Sequence, residues 1–403
     1  MAQAAQNQAS PAYSHDVLLV GGGLQNGLIA LACLAQKPDL RLALIERDAT
    51  LGGNHTWCLH SGDVPAAAAG FVEPLITHRY PAYDVRFPGF ARTVRAPYAA
   101  ITSERFDRVL RLRLGARALL GCSVLQVQPE RVVLSDGREL TAPLVIDARG
   151  PGAASERAGA YSHARSTCGF QKFVGLELEL AAPPALERPI LMDATVPQDD
   201  GYRFFYVLPL GSRRVLVEDT VFSRSPRLDV PRLTASALDY AKRFGEIERV
   251  VRTEQGVLPM PWSSDTALPS RSPLVAGYQG GFFHPATGYS LPVALRLACF
   301  VAARAPHDVF GSALQRFVEE HRAQARYAEW LNALLFHAFA PEDMWHVLAR
   351  FYRLPDALIE RFYALQLTAF DRARILVGRP PKGFSVAQVI SHMRSARPSL
   401  GAT

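Results

Sequence analysis

The chain has 403 residues, of which 49% are hydrophobic and 20% charged, with a formal net charge of +7. This composition suits a globular protein of two or three domains and excludes a disordered chain, a collagen-like repeat and a disulfide-stapled miniprotein. It also excludes a helical membrane bundle: the most apolar stretch, 282–303, contains His284, Pro285, Pro292 and Arg296, and no run of about 18 apolar residues is free of charges and helix breakers. Cys33, Cys58, Cys122, Cys168 and Cys299 are scattered and never spaced as a Cys-x-x-Cys pair. This argues against a disulfide framework or a zinc site and for a reducing cytoplasm. Residues 1–14 lack the basic start and apolar core of a signal peptide and read as a disordered tail.

In chain order, Asp16 to Val20 is a short apolar strand, Gly21-Gly22-Gly23 a turn, and Leu24 to Gln36 a helix. A second strand, Leu40 to Ile45, ends at Glu46, followed by Arg47. Together they form a βαβ unit that opens a parallel sheet. A helix is expected from Thr102 to Leu114, with its N-cap at Thr102 or Ser103. Short strands follow at Val124 to Val127 and Arg131 to Leu134, and a buried one at Leu144 to Ala148. From Phe173 to Val221 the period becomes two, the mark of an antiparallel sheet. Leu176, Leu178 and Leu180 alternate there with Glu177 and Glu179, which are expected on a wet face. A further strand at Pro273 to Ala276 leads through a glycine-rich loop to a helix over 290–305, and beyond Gly311 the chain is helical and aromatic.

The glycine turn carries the first chemical signal. Gly21 permits a tight turn, and Gly23 lets the backbone approach a pyrophosphate at the helix N-terminus. Gly22 lies between them. Glu46 is placed to accept hydrogen bonds from ribose hydroxyls, which favours FAD or NAD over NADP, with Arg47 as a further contact. The strict G-x-G-x-x-G spacing is broken, because Asn26 holds the third position and the glycine falls at Gly27. Arg105 on the following helix is a candidate contact to flavin or pyrophosphate. Gly277, Pro285 and Gly288 supply a second loop before a second helix N-terminus, where negative charge on a reduced flavin is stabilised. The expected fold is α/β (α+β overall). A discontinuous, Rossmann-like FAD/NAD(P)-binding domain comprises 15–75, 100–165 and 265–310. An inserted antiparallel-sheet substrate domain comprises 76–99 and 166–264, and a C-terminal helical region comprises 311–403.

The segments G-G-G-L-Q-N-G-L-I-A (21–30), G-G-N-H-T-W-C (52–58) and D-G-Y-R-F-F-Y-V-L-P-L (200–210) resemble bacterial lycopene β-cyclases. So do L-V-E-D-T (216–220), E-Q-G-V-L-P-M-P (254–261) and F-H-P-A-T-G-Y-S-L-P (283–292). The resemblance implies a glutathione-reductase-like flavoprotein that cyclises the ends of lycopene and other acyclic-ended carotenoids. It implies reduced FAD, with NAD(P)H or another donor keeping it reduced, in a reaction that is redox-neutral overall. Such chemistry needs a carboxyl that holds a proton near neutral pH, and an apolar pocket provides this. Glu218 and Asp219 interrupt an apolar strand and are the candidate acids. Strand period sends them to opposite faces, and the resemblance favours Glu218. Tyr202, Phe204, Tyr206, Trp57 and Trp262 are candidate aromatic faces for a cation. Asp193 is a second-tier acid, and His55 and His284 fall in the candidate flavin loops.

A flavin-dependent monooxygenase or polyene desaturase would share the glycine loops, as would a carotenoid carrier. An acidic pair in an apolar strand is what the oxidising enzyme does not need. Lycopene resides in bilayers, so peripheral membrane contact is expected. Two features suit it: Met344, Trp345, Phe351, Tyr352, Phe362 and Tyr363 interleaved with Arg350, Arg353 and Arg361, and a basic end from Arg372 to Arg397. The same aromatics suit a buried helical domain equally well. No nucleic-acid-binding signature is present.

Overall fold

The computed structural model describes residues 13–150, 168–263 and 272–385. The expected tail over 1–14 therefore lies almost wholly outside the described residues, as do Arg394 and Arg397.

Two sheets organise the chain. The first is five-stranded and parallel, in the order Leu274–Val275, Leu144–Asp147, Val17–Val20, Leu42–Ile45, Ala118–Leu119. Its three central strands are buried at every position. They read as unbroken apolar runs because both faces are covered. Helices Leu24–Gln36 and Leu291–Ala302 pack on one face. On the other lies an antiparallel meander of Val124–Val127, Arg131–Leu134 and Glu139–Thr141. The helix Ser103–Leu114 is capped by Thr102, whose hydroxyl accepts the Arg105 N–H at 3.3 Å. It packs so closely on the first helix that a Cβ at Gly27 would lie 2.4 Å from Phe106 Cζ.

The second sheet has seven strands, in the order Ile247–Pro261, Cys168–Leu180, Arg214–Ser223, Tyr202–Pro209, Ile190–Asp193, Tyr83–Phe87, Phe90–Val94. All its pairings are antiparallel except that between Ile190–Asp193 and Tyr83–Phe87. One face packs on the helix Val230–Ala241, where Phe205 and Tyr240 stack with centroids 3.9 Å apart. The opposite face is covered by a small sheet of Thr56–His60, Tyr98–Thr102 and His78–Tyr80 and by the C-terminal helices. With both faces covered, the expectation of a wet face fails at Glu177. It is 4% exposed and accepts hydrogen bonds from Arg214 (2.9 Å) and Arg252 (3.1 Å). Glu179 is half-buried between Arg213 and Arg249.

The C-terminal helices are Ser312–Ala338, Trp345–Phe351, Asp356–Tyr363 and Ala369–Leu376. Most of the apolar residues expected at an interface build a core instead. Met344, Tyr352, Phe362 and Tyr363 are buried. The interleaved arginines serve the fold as well. Arg350 donates to the carbonyls of Ile375 and Val377, Arg353 lies over Phe90, and Arg361 pairs with buried Asp371. Among the described residues, no helix is long and apolar enough to cross a membrane.

Candidate active site

A cavity of about 780 Å³ runs from the glycine turn, past the inner face of the large sheet, to the C-terminal helices. At one end lie the N-termini of two helices. Gly23 and Leu24 of the first and Ser290 and Leu291 of the second line the cavity. Neither N-terminus is capped by a side chain, so the positive end of each helix faces the cavity. The Gln25 amide ties the two together by donating to the Ala294 carbonyl at 3.2 Å.

The three glycines of the turn differ in their reasons. Gly21 has φ +97°, and a Cβ there would lie 2.7 Å from the Ala148 carbonyl oxygen. Gly22 donates its N–H to Glu46 Oε2 at 2.6 Å. Gly23 has open space where a Cβ would stand. Asn26, at the position where the strict motif has glycine, donates its amide to the carbonyls of Val20 and Gly21 and holds the turn. Gly27 supplies the close helix contact one residue later.

These features fit a dinucleotide. There is room before Gly23, a carboxylate at the end of the second strand, and two buried amide oxygens, Gln25 Oε1 and Gln171 Oε1, without partners beside the cavity. Gly277 and Gly288, with φ +63° and +67°, also line this end. The Pro285 carbonyl accepts from the Asn332 amide at 2.8 Å, which fixes the second loop to the longest C-terminal helix. Two of the expected contacts lie elsewhere. Arg105 donates through Nε to the Pro74 carbonyl at 2.7 Å, and Arg47 is exposed beside Asp48.

His284 is structural. Its Nδ1 accepts the Ala286 N–H, so Nε2 carries the proton donated to the Phe362 carbonyl at 2.9 Å. Burial pulls it down to about 3, and the ring is neutral. His55 lines the cavity, and burial and the Arg252 guanidinium hold it at about 4.

The other part of the cavity is apolar and aromatic. Phe204, Tyr206 and Phe222 line it from the large sheet, and Trp57 and Tyr98 from the small one. Tyr202 is fully buried behind Phe204, and Trp262 packs on Phe336 and His337 away from the lining. Glu218 is the carboxyl of this wall. It sits opposite Tyr206 on one neighbouring strand and Gly175 on the other. Burial pushes it up to about 7. The Thr220 hydroxyl, donating to Oε1 at 2.6 Å, opposes the rise, and the nearby Asp219 charge adds to it. The group therefore holds a proton for much of the time at neutral pH.

Asp219 does not reach the cavity. The strand period turns it to the helix-covered face, where Arg203 grips it through two hydrogen bonds of 2.9 and 2.6 Å. Arg203 also donates to Ser236 on the covering helix. Asp193 shares that face and accepts from Thr195 and from the Tyr240 hydroxyl at 2.7 Å. It is a structural acid.

One further carboxyl is not apparent from the sequence. Glu254 is 4% exposed and sits on the strand beyond Gly175, so Gly175 pairs with Glu218 on one side and Glu254 on the other. The signal that could point to it is an acid at the start of the segment 254–261.

A parallel sheet with a glycine turn, joined to an antiparallel sheet that walls an apolar cavity, is the fold of FAD-dependent oxidoreductases and halogenases. A geranylgeranyl bacteriochlorophyll reductase-like protein of Thermoplasma acidophilum superposes with a TM-score of 0.62 at 14% identity, covering 94% of this chain and 98% of that one. A flavin-dependent halogenase of Xanthomonas campestris gives 0.58 at 13% identity, covering 94% and 87%. The family model described as lycopene cyclase protein matches residues 16–389. A lycopene β-cyclase of Pseudescherichia vulneris is 42% identical over 372 residues, which is 91% of this chain and 94% of the relative. The chain belongs to the lycopene cyclase family.

Proposed function

We infer that the chain is a lycopene β-cyclase that closes the linear ends of its polyene by a proton-initiated, redox-neutral reaction with Glu218 as the acid. The observation that carries this reading is a carboxyl held near neutrality in an aromatic wall, in a cavity that also reaches the glycine turn.

Glu218 donates its proton to C2 of the terminal double bond, leaving a tertiary cation at C1. The C5=C6 electron pair attacks C1, the C1–C6 bond forms, and the cation moves to C5. Loss of the C6 proton restores a C5=C6 double bond in the β ring. One proton enters and one leaves, so nothing is oxidised. Tyr206, Phe204 and Trp57 line the cavity, and a ring face turned to a desolvated cation contributes roughly 0.5–2 kcal/mol. The apolar lining keeps water from capturing the cation.

Gly21, Gly22, Gly23 and Glu46 would hold the nucleotide part of FAD, and Gly277 and Gly288 the second loop around it. When bound and reduced, FAD supplies negative charge that favours a nearby cation, with a nicotinamide nucleotide as the external reductant. The uncapped N-terminus at Ser290 and Leu291 complements that charge.

An anaerobic assay in D2O tests the reading, with reduced FAD and lycopene in vesicles. The expected product is cyclic, carries one deuterium per ring closed, and forms without net flavin oxidation. Product that is oxygenated or desaturated once air is admitted would instead assign the cavity to an oxidising enzyme. Binding without conversion would leave a carrier.

We propose a peripheral location on the cytoplasmic face of the membrane, a reading supported by the substrate class and by the character of the cavity mouth. Trp330, Leu376 and Phe384 line the cavity while 44%, 43% and 38% exposed, and Phe370 and Val377 of the C-terminal segment are 76% and 66% exposed. The same segment carries Arg372, Arg374, Arg379 and Lys382, whereas its acid, Asp371, is buried against Arg361. An apolar rim with basic flanks suits an anionic bilayer, at about 1 kcal/mol per basic residue near the surface. Replacing Arg374, Arg379 and Lys382 together by Ala should weaken sedimentation with anionic vesicles by about two orders of magnitude. Binding to zwitterionic vesicles should stay unchanged. Equal binding of variant and wild type to anionic vesicles would place the docking face elsewhere.

A further inference from the structure

Glu254 has no part in the scheme above, yet its surroundings tie it to Glu218. Gly175 stands between the two on the central strand of three, and in a sheet residues in register across neighbouring strands share a face. The missing side chain is used. A Cβ at Gly175 would lie 2.9 Å from Glu254 Cγ and 3.2 Å from Oε1. The Glu254 side chain is therefore folded over the glycine, on the side of Glu218. Its other oxygen is anchored. Oε2 accepts the Thr56 N–H at 3.2 Å and lies 3.5 Å from Arg252 Nη1 and 3.6 Å from His55 Nδ1.

We propose that Glu254 is a positioning residue for the cyclisation acid: its carboxyl, carried across Gly175, forms a pair with Glu218 that keeps one proton between them while the cavity is closed to water. This rests on Glu218 being the acid. Two carboxyls sharing a site cannot both ionise without repulsion in a medium that screens poorly. Burial and the Glu218 charge both push Glu254 up, to about 8, against the pull of Arg252. The other charged or titratable groups facing it are Glu177 from the central strand, His55 and Cys58 from the small sheet and its approach, and Glu104 across Arg252. Arg252 is divided among Glu177, Asn54, Thr56 and Glu254, so it does not neutralise Glu254 alone. Such a pair titrates as a unit, and its last proton leaves at a higher pH than that of either carboxyl alone. Glu218 remains able to carry a proton for as long as the pair stays singly protonated.

The test is the pH profile of kcat/KM for flavin-loaded enzyme acting on lycopene in vesicles. Wild type, Glu254→Gln, Gly175→Ala and Glu218→Gln are compared, with flavin content and melting temperature recorded for each. Glu254→Gln should move the alkaline limb down by about one pH unit. Its deficit is then small at pH 6 and about tenfold above both limbs. Gly175→Ala, which displaces the carboxyl without removing it, should move the limb the same way, and it decides the matter if Glu254→Gln fails to fold. A limb that stays in place, or a loss that is uniform across pH, would overturn the proposal, since a purely structural role predicts the latter. Full activity of Glu218→Gln would overturn the choice of acid instead, and that result is read separately from the limb.

Discussion

Glu218→Gln is expected to lose about 10²–10⁴-fold in kcat, the range for removing a general acid from its transition state. The loss should appear in kcat and kcat/KM alike, because the lost interaction belongs to the transition state. Flavin content should be unchanged, since Glu218 lies on the aromatic wall rather than at the glycine turn. Stability gives a second signature. Burial raises Glu218 from its ordinary value to about 7 in the folded chain. Between the two values the folded state keeps a proton that the unfolded chain has released, so this group's contribution declines as pH rises through that window. Glu218→Gln should therefore be at least as stable as wild type at pH 8, with a flatter stability profile from pH 4.5 to 7. In wild type, loss of this proton makes activity fall on the alkaline side. A Gln variant that cyclises normally, or one that loses activity only by unfolding, would refute the assignment.

The adjacent residue should behave in the opposite way. Asp219→Ala leaves the Arg203 guanidinium, in a residue 8% exposed, without its carboxylate. Breaking a buried pair from one side costs about 3–5 kcal/mol, because the remaining charge stays in a poorly solvating site. The denaturation midpoint should fall accordingly. The folded fraction should still cyclise at pH 6, below the alkaline limb. Replacing both partners, Asp219→Ala with Arg203→Met, should recover much of the lost stability, which a double-mutant cycle would read as coupling between them. Loss of kcat with no loss of stability would move Asp219 back into the catalytic site.

These two neighbours show what the sequence carries. An acidic pair inside V-L-V-E-D-T marks an unusual strand, and the period of two by itself sends its members to opposite faces. The sequence does not say which face is the cavity. That is decided by the helix Val230–Ala241, which covers the Asp219 side with Phe205 on Tyr240 and Arg203 on Ser236.

The opening strand, glycine turn, helix and second strand are legible because their signals are local. Buried parallel strands are apolar throughout, and the turn needs glycine within a few residues. Arg105 shows the limit of position alone: its helix forms as expected, but its guanidinium goes to the Pro74 carbonyl. The C-terminal aromatics show the limit of composition. Phe362 or Tyr363 beside an arginine suits a lipid interface or a core, and only the packing of four helices against the large sheet makes them core.

Glu177 and Glu254 are hidden from sequence reasoning for one reason. An alternating strand with glutamates reads as wet on one side, yet here both sides are covered, and Arg214 and Arg252 come from neighbouring strands to meet Glu177. Glu254 approaches Glu218 only through the register of three strands across Gly175. The sequence by itself determined the glycine turn, the strands around it and the acidic pair inside an apolar strand, because each depends on short-range periodicity and residue chemistry. The tertiary structure decided which carboxyl is desolvated, which is neutralised and which two flank Gly175 on one face of the sheet, because burial and charge pairing depend on segments far apart in the chain.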